Sequence, residues 1–464
     1  MKTKLTSIAL VALLAGCALG PTVKAPEVAA PTAWSLASGD VTPDWAGLLD
    51  PQLAALQARA LEANRDIALA AQRWKQAQLL AEQSELRWVP SAGLSANASR
   101  PVETQSSTRN VEVGGVTIPV TTSTGWSRSY GVSLGVGYEL DLWNRLAQTT
   151  AAQRAQAEAA RTDIAAARLL IRSQVAEAYW TLAAIRAQRP LAEDQLRLTR
   201  ETLELTRARV REGKLLPLEL DKIAVTVQAA ETRLADLAAD QLLQRQRLAL
   251  LLDEPLPSYD SGPTPEAALP AGVPPRWHLA EPADVLAQRP DVQRARLGVD
   301  TALARLRVSE AERYPRLSFS AGLSTGGTRS SDWLSQPLAS FAANLAVPLI
   351  DWQRLNLQRD GARSELDSAA LTLRDTLQKA LADIETQRIE ADRTAQQLQA
   401  NAGRLKEATE NERLAKLRYE VGAISRADWL QIRSTVLDAE QTRISLRLQQ
   451  WVRQAALFKS LGGT

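Results

Sequence analysis

The spacing of apolar residues along this chain switches between two periods. Over residues 90–100, Pro90, Ala92, Leu94, Ala96 and Ala98 alternate with Ser91, Gly93, Ser95, Asn97 and Ser99, and a period of two is that of a strand whose two faces meet different surroundings. Over 127–142, Tyr130, Val132, Leu134, Val136, Tyr138, Leu140 and Leu142 face one way, and Gly131, Ser133, Gly135, Gly137, Glu139 and Asp141 the other. The pair recurs later, with Leu317, Phe319, Ala321 and Leu323 in a strand over 316–325 and Phe341, Ala343, Leu345, Val347 and Leu349 in one over 339–350. Four strands are therefore predicted.

After each strand pair the period lengthens to that of a helix. Residues 145–212 and 354–421 are rich in Ala, Leu, Gln, Arg and Glu, all strong helix formers. At about 1.5 Å per residue each run reaches roughly 100 Å, several times the usual helix length. Gly213 and Gly422 end these helices as left-handed caps, and second helices follow over 218–252 and 428–461. Pro190 lies inside the first long run and is expected to kink or break it. Alanines such as Ala151, Ala152 and Ala165 to Ala167 suit close coiled-coil seams, which an ordinary dimeric coiled coil would also contain.

These matches form an internal two-fold repeat. Arg145 and Arg354, which open the long helices, lie 209 residues apart, as do Gly213 and Gly422. Trp88-Val-Pro90 and Arg313-Tyr-Pro315 are displaced by 225, as are Asn64-Arg-Asp66 and Arg289-Pro-Asp291. The chain accordingly divides into a leader over 1–16, an extension over 17–45, a first repeat over 46–252, a Pro-rich connector over 253–282 and a second repeat over 283–464.

An apolar outer face and a Ser/Gly inner face suit a barrel with lipid outside and water inside, although a soluble half-buried sheet reads alike. Trp88, Trp126, Trp143, Trp333 and Trp352 stand near strand ends, where membrane barrels carry aromatic girdles. Four strands leave open edges that lipid cannot satisfy, so the barrel must be shared among copies. No stretch of the mature chain is long and apolar enough for a membrane-spanning helix.

Composition narrows the chemistry. Hydrophobic residues make up 45% and charged residues 23% of the 464 positions, enough for a large core and against disorder. The formal net charge of +3 gives no support to nucleic-acid binding. Lys2 and Lys4 followed by the apolar run Ile8–Leu14 form an export signal. Cys17 is the one cysteine, which rules out an intramolecular disulfide, and Leu14-Ala15-Gly16-Cys17 resembles a lipobox, making Cys17 an acylated anchor. The lipobox resemblance implies that Ala18 after it, in place of Asp, favours transfer to the outer membrane. With one histidine, His278, and no phosphate-binding loop, neither an enzyme, a metal site nor a cofactor is expected.

In this order the features resemble the TolC and OprM family of outer-membrane factors, most specifically in Tyr138-Glu-Leu-Asp-Leu-Trp-Asn-Arg145, Ala287-Gln-Arg-Pro-Asp-Val292, Val347-Pro-Leu-Ile-Asp-Trp-Gln-Arg354 and Tyr419-Glu-Val-Gly422. The resemblance implies a mainly α protein with a membrane β-barrel: a homotrimer sharing a 12-stranded β-barrel and a 12-helix α-barrel, with a middle belt near Pro190, the connector and the C-terminus. It implies an efflux channel passing substrates from an inner-membrane pump of RND or ABC type, through a periplasmic adaptor that docks on the hairpin tips. It also implies a gate at those tips, to which Glu219, Asp221, Arg418, Tyr419 and Asp428 are assigned beside the turns at Gly213 and Gly422. Ile424 stands where TolC-like members have arginine, and Gln431 where they have an acid, so the latch must differ. Glu219 and Asp428 would ring the aperture and favour cations, or would serve only as acids at a helix start. A duct for type I protein secretion or metal-ion efflux, and a non-conducting periplasmic coiled-coil scaffold, are the alternatives.

Overall fold

The computed structural model describes residues 51–100, 106–123, 128–255, 269–270, 282–327, 329, 331, 334 and 337–463. The leader, Cys17, Trp126, Trp333, His278 and most of the Pro-rich connector lie outside the described residues. The helices are α1 Pro51–Ala63, α2 Arg65–Glu85, α3 Arg145–Arg211, α4 Pro217–Leu251, α5 Pro282–Gln288, α6 Pro290–Ala311, α7 Trp352–Glu420 and α8 Arg426–Ser460. The strands are β1 Ser91–Ser99, β2 Ser106–Val113, β3 Val116–Ser123, β4 Ser129–Leu140, β5 Arg316–Gly327 and β6 Leu338–Ala346. The fold is mainly helical, and two compact units can be distinguished.

The first unit, Gln76–Ala157 with Leu297–Ala370, holds the strands. β1, β4, β5 and β6 form one antiparallel sheet in that order, so β1 and β6 are its edges. The register stacks like on like: Ser95, Ser133 and Ser324 lie in one row and Leu94, Leu134 and Leu323 in the next. Ser95 and Ser133 share a hydroxyl hydrogen bond of 2.7 Å, as do Ser99 and Ser129. Both edge strands are exposed along their whole length, and Leu94 and Phe341 are 75% and 76% exposed. Side chains of that size cost free energy in water, so this unit is built to be covered.

At the β4–α3 corner the chain turns on Asn144, held at φ 59°. Arg145 forks onto Glu139 with bonds of 2.8 and 2.9 Å. Asp141 accepts from the Ala147 N–H at 2.9 Å, supplying an acceptor to the first turn of α3. The Trp143 indole donates to the Pro315 carbonyl at 2.8 Å and stacks on Tyr314 at 4.6 Å. The specific run 138–145 is thus a strand-to-helix corner in which Glu139, Asp141, Trp143 and Arg145 all have partners.

Two expectations need correction. β2 and β3 add a separate two-stranded hairpin beyond the four strands expected. Gly114 and Gly115, at φ 62° and 83°, give the doubly left-handed two-residue turn that such hairpins favour. β6 stops at Ala346 instead of running to 350, because Pro348 has no N–H for a ladder. Pro190 lies inside α3 without ending it, since that helix runs on from Arg145 to Arg211.

Of the described residues, the second unit takes those from Pro51 to Lys75, those within Glu158–Arg296 and those from Leu371 on. Its main core gathers Leu53, Tyr179, Trp180, Leu248 and Trp451, with the two indoles 5.4 Å apart. Two buried polar side chains stitch helix ends. The Asn64 amide donates to the Leu251 carbonyl at 3.0 Å. The Arg289 guanidinium donates to the Ser460 carbonyl at 2.6 Å and to the Ala380 carbonyl at 3.2 Å, while Asp291 holds its other side at 2.7 Å. Each satisfies a terminal carbonyl that the helix leaves unpaired. Among the described residues no helix is long and apolar enough to cross a membrane.

Candidate functional site

Two turns in the second unit join long helices, α3 to α4 and α7 to α8. Both use the same backbone device. Gly213 and Gly422 sit at φ 69° and 78°. In the first turn Lys214 donates to the Arg209 carbonyl at 2.9 Å and Gly213 to that of Val210 at 3.0 Å. In the second, Ala423 donates to the Arg418 carbonyl at 2.7 Å and Gly422 to that of Tyr419 at 2.9 Å. This crossed pair is the Schellman motif, which needs a residue free to adopt positive φ.

The side chains differ. At the second turn Ser425 caps α8: its hydroxyl accepts from the Asp428 N–H at 3.3 Å and donates to the Asp428 carboxylate at 2.7 Å, while the Ser425 N–H donates to that carboxylate at 3.2 Å. These bonds hold the Asp428 carboxyl below its ordinary range, the Ser425 hydroxyl contributing most. Arg426 forms an ion pair with Glu201 on α3 and donates to the Tyr419 hydroxyl at 3.4 Å. Its guanidinium is held above its ordinary value, chiefly by the Glu201 hydrogen bond and then by Tyr419. The Tyr419 ring lies parallel to that of Trp429 at 5.6 Å. The Trp429 indole donates to Glu412 at 3.1 Å, and Leu198, Leu430 and Leu437 pack beneath. The start of α8 is thereby fastened both to α7 and to α3.

The first turn has none of these fastenings among the described residues. Leu216 occupies the N-cap of α4 with no side-chain hydrogen bond, and Pro217 follows at the first helical position. Glu212 pairs with Lys214 at 2.8 Å and Glu219 with Lys222 at 2.7 Å, both exposed. The Lys214 ammonium holds the Glu212 carboxyl below its ordinary range. Asp221 is exposed.

Of the residues singled out in the sequence, Tyr419 and Asp428 lie within the bonded network. Arg418 contributes its backbone carbonyl and leaves its side chain exposed, and Glu219 and Asp221 belong to the plain turn. Glu201, Glu412, Arg426 and Trp429 were not foreseen. Arg426 carried a readable signal: a cation in the first turn of a helix opposes the helix dipole, so it calls for a carboxylate nearby. Among the proposed girdle residues, Trp88 and Trp352 are exposed, Trp143 is half-buried in the corner described above, and the Arg313 guanidinium lies 4.5 Å over the Trp352 ring. Among the described residues no cluster suited to a metal ion is found.

A family model described as outer membrane efflux protein matches residues 56–254 and 282–463. The chain is 27% identical over 460 residues to the pyoverdine export outer membrane protein OpmQ of Pseudomonas aeruginosa, covering 97% of this chain and 94% of that protein. It is 25% identical to the probable outer membrane lipoprotein SilC of Salmonella typhimurium, covering 100% of this chain and 99% of SilC. Its fold is similar to that of the Campylobacter jejuni CmeC outer membrane channel, with a TM-score of 0.81 at 18% identity over 96% of this chain and 95% of CmeC.

Proposed function

We infer the function from one premise, that the chain belongs to the outer membrane efflux protein family. It is the outer-membrane channel of a tripartite efflux system. That family is one of channels and not of enzymes, so the chain conducts while a partner supplies the energy. In our reading Cys17 carries acyl chains in the outer membrane, three copies share a 12-stranded barrel and a 12-helix duct, and a periplasmic adaptor links the hairpin tips to an RND-type or ABC-type pump.

One observation carries this reading: a four-stranded sheet with both edges open, exposed apolar side chains on one face and serine and glycine on the other. A lipid-facing sheet cannot leave edge N–H and C=O groups unpaired, so copies must complete one another. Gene duplication is supported by matching contacts. Asn64 and Arg289, 225 residues apart in the sequence, cap Leu251 and Ser460, which are themselves 209 apart.

The gate in this reading is the second hairpin, latched closed by the Arg426, Glu201 and Tyr419 contacts, with Asp428 as a charged group beside the aperture. Purified protein in a planar bilayer should give discrete current steps, and its mass in mild detergent should be that of three chains. A monomer that passes no current, even with Arg426→Ala, would refute the channel.

A further inference from the structure

Resting on the channel reading, the first unit carries a second feature that the open edges alone do not explain. Within this unit the helices follow the order of the strands. α2 leads into β1, β4 into α3, α6 into β5 and β6 into α7. Neighbours along this row are tied: Thr150 on α3 donates to the Ser84 carbonyl on α2 at 3.3 Å, Arg154 pairs with Glu85 at 2.7 Å, and Arg313 covers Trp352. α2 and α7 are therefore the outer members, as β1 and β6 are.

Both outer members end in apolar groups at the same end of the sheet. β1 begins there, at Ser91, and β6 finishes there, at Ala346. On the β1 side Leu79, Leu80, Leu86 and Val89 are exposed, Leu86 by 67%. On the β6 side Leu349 is exposed by 81%, Ile350 by 99% and Leu357 by 67%. Leu86, Val89, Leu349 and Ile350 lie beyond the strand ends, outside the alternating ladder that gives each strand a lipid face. Two greasy patches on opposite edges cannot meet within one copy. When β1 of one copy pairs antiparallel with β6 of the next, they are brought to the same level, in a head-to-tail contact that closes a ring.

We propose that the β6–α7 corner at Leu349 and Ile350 packs on the Leu86 and Val89 turn of the next copy. This collar seals the junction between strands and helices. The occupant is a second copy because each patch directly continues a backbone edge that itself requires a strand.

Full-length protein in mild detergent tests this with Ile350→Asp and Leu86→Asp. Each should lose most of the trimer while circular dichroism keeps its helical signal. In a Leu86→Cys, Ile350→Cys double variant, a short flexible bismaleimide should yield covalent trimers on a denaturing gel. Neither single cysteine variant should, since a head-to-tail contact never brings position 86 to 86 or 350 to 350. Trimers of wild-type proportion in both aspartate variants would overturn the collar, and such trimers binding less detergent would give the patches to lipid. Wild-type protein that neither conducts nor assembles would remove the channel reading itself.

Discussion

The turns at Gly213 and Gly422 share a backbone and differ in almost everything attached to it. Both close with the same crossed pair of hydrogen bonds around a left-handed glycine. The first then enters α4 through an uncapped Leu216, which is 71% exposed. The second enters α8 through a reciprocal serine and aspartate cap and an arginine fastened across to α3. The glycine sets the path of the chain, whereas hydroxyl, carboxylate and guanidinium groups set how firmly it is held. Among the described residues, the second turn alone of the two has side-chain contacts that reach another long helix, from Arg426 to Glu201.

The largest effect should come from cutting that reach. Arg426→Ala or Glu201→Gln should raise the open fraction in planar bilayers severalfold, with Lys222→Ala at the plain turn as the control that changes nothing. Equal conductance in all three would erase the functional difference between the turns. Gly213→Val and Gly422→Val should each cost about 2 kcal/mol, as expected for a side chain forced into positive φ, read as lost amide protection at that turn. Similar losses at both would show that the backbone is not the source of the asymmetry.

Smaller effects concern the caps. Ser425→Ala should destabilise the start of α8 by about 1 kcal/mol. The reverse swap is available at the first turn, where Glu219 already stands three residues after the N-cap. Leu216→Ser would complete a capping box there and should stabilise α4 by roughly 0.5 kcal/mol. The pH dependence should be smallest. A carboxyl held below its ordinary range adds stability above that range and loses it as pH falls through the folded value. Amide exchange at Ser425 and Asp428, corrected for intrinsic rates, should thus be flat from pH 7 to about 5 and rise below about 4, the ordinary aspartate value.

Much of this architecture could be read in advance because its signals are repetitive. Alternation over Tyr130 to Leu140 needs only a pleat, and a glycine after a long helical run needs only the cost of positive φ. The hairpin β2–β3 is written just as clearly, in Val111, Glu112 and Val113 before Gly114-Gly115, but it is inserted between the paired strands β1 and β4 of the first repeat, so the repeat pattern does not announce it. Pro190 does not end α3, because one lost hydrogen bond weighs little against a helix whose buried Ile185 and Ala192 pack on Leu237 from both sides of it. The Arg426 to Glu201 pair spans 225 residues of chain, and no local pattern announces a partner that far away.

The row of Ser95, Ser133 and Ser324 has a consequence for traffic. On that face the central strands carry hydroxymethyl groups and bare backbone at Gly131, Gly135, Gly322 and Gly326. Apart from Glu139, which Arg145 holds, and Asn97 and Asn344 on the edge strands, that face carries small neutral groups that resemble the water they replace. A conduit finished in this way would be indifferent to its cargo, and any choosiness would have to be exercised before the cargo arrives there.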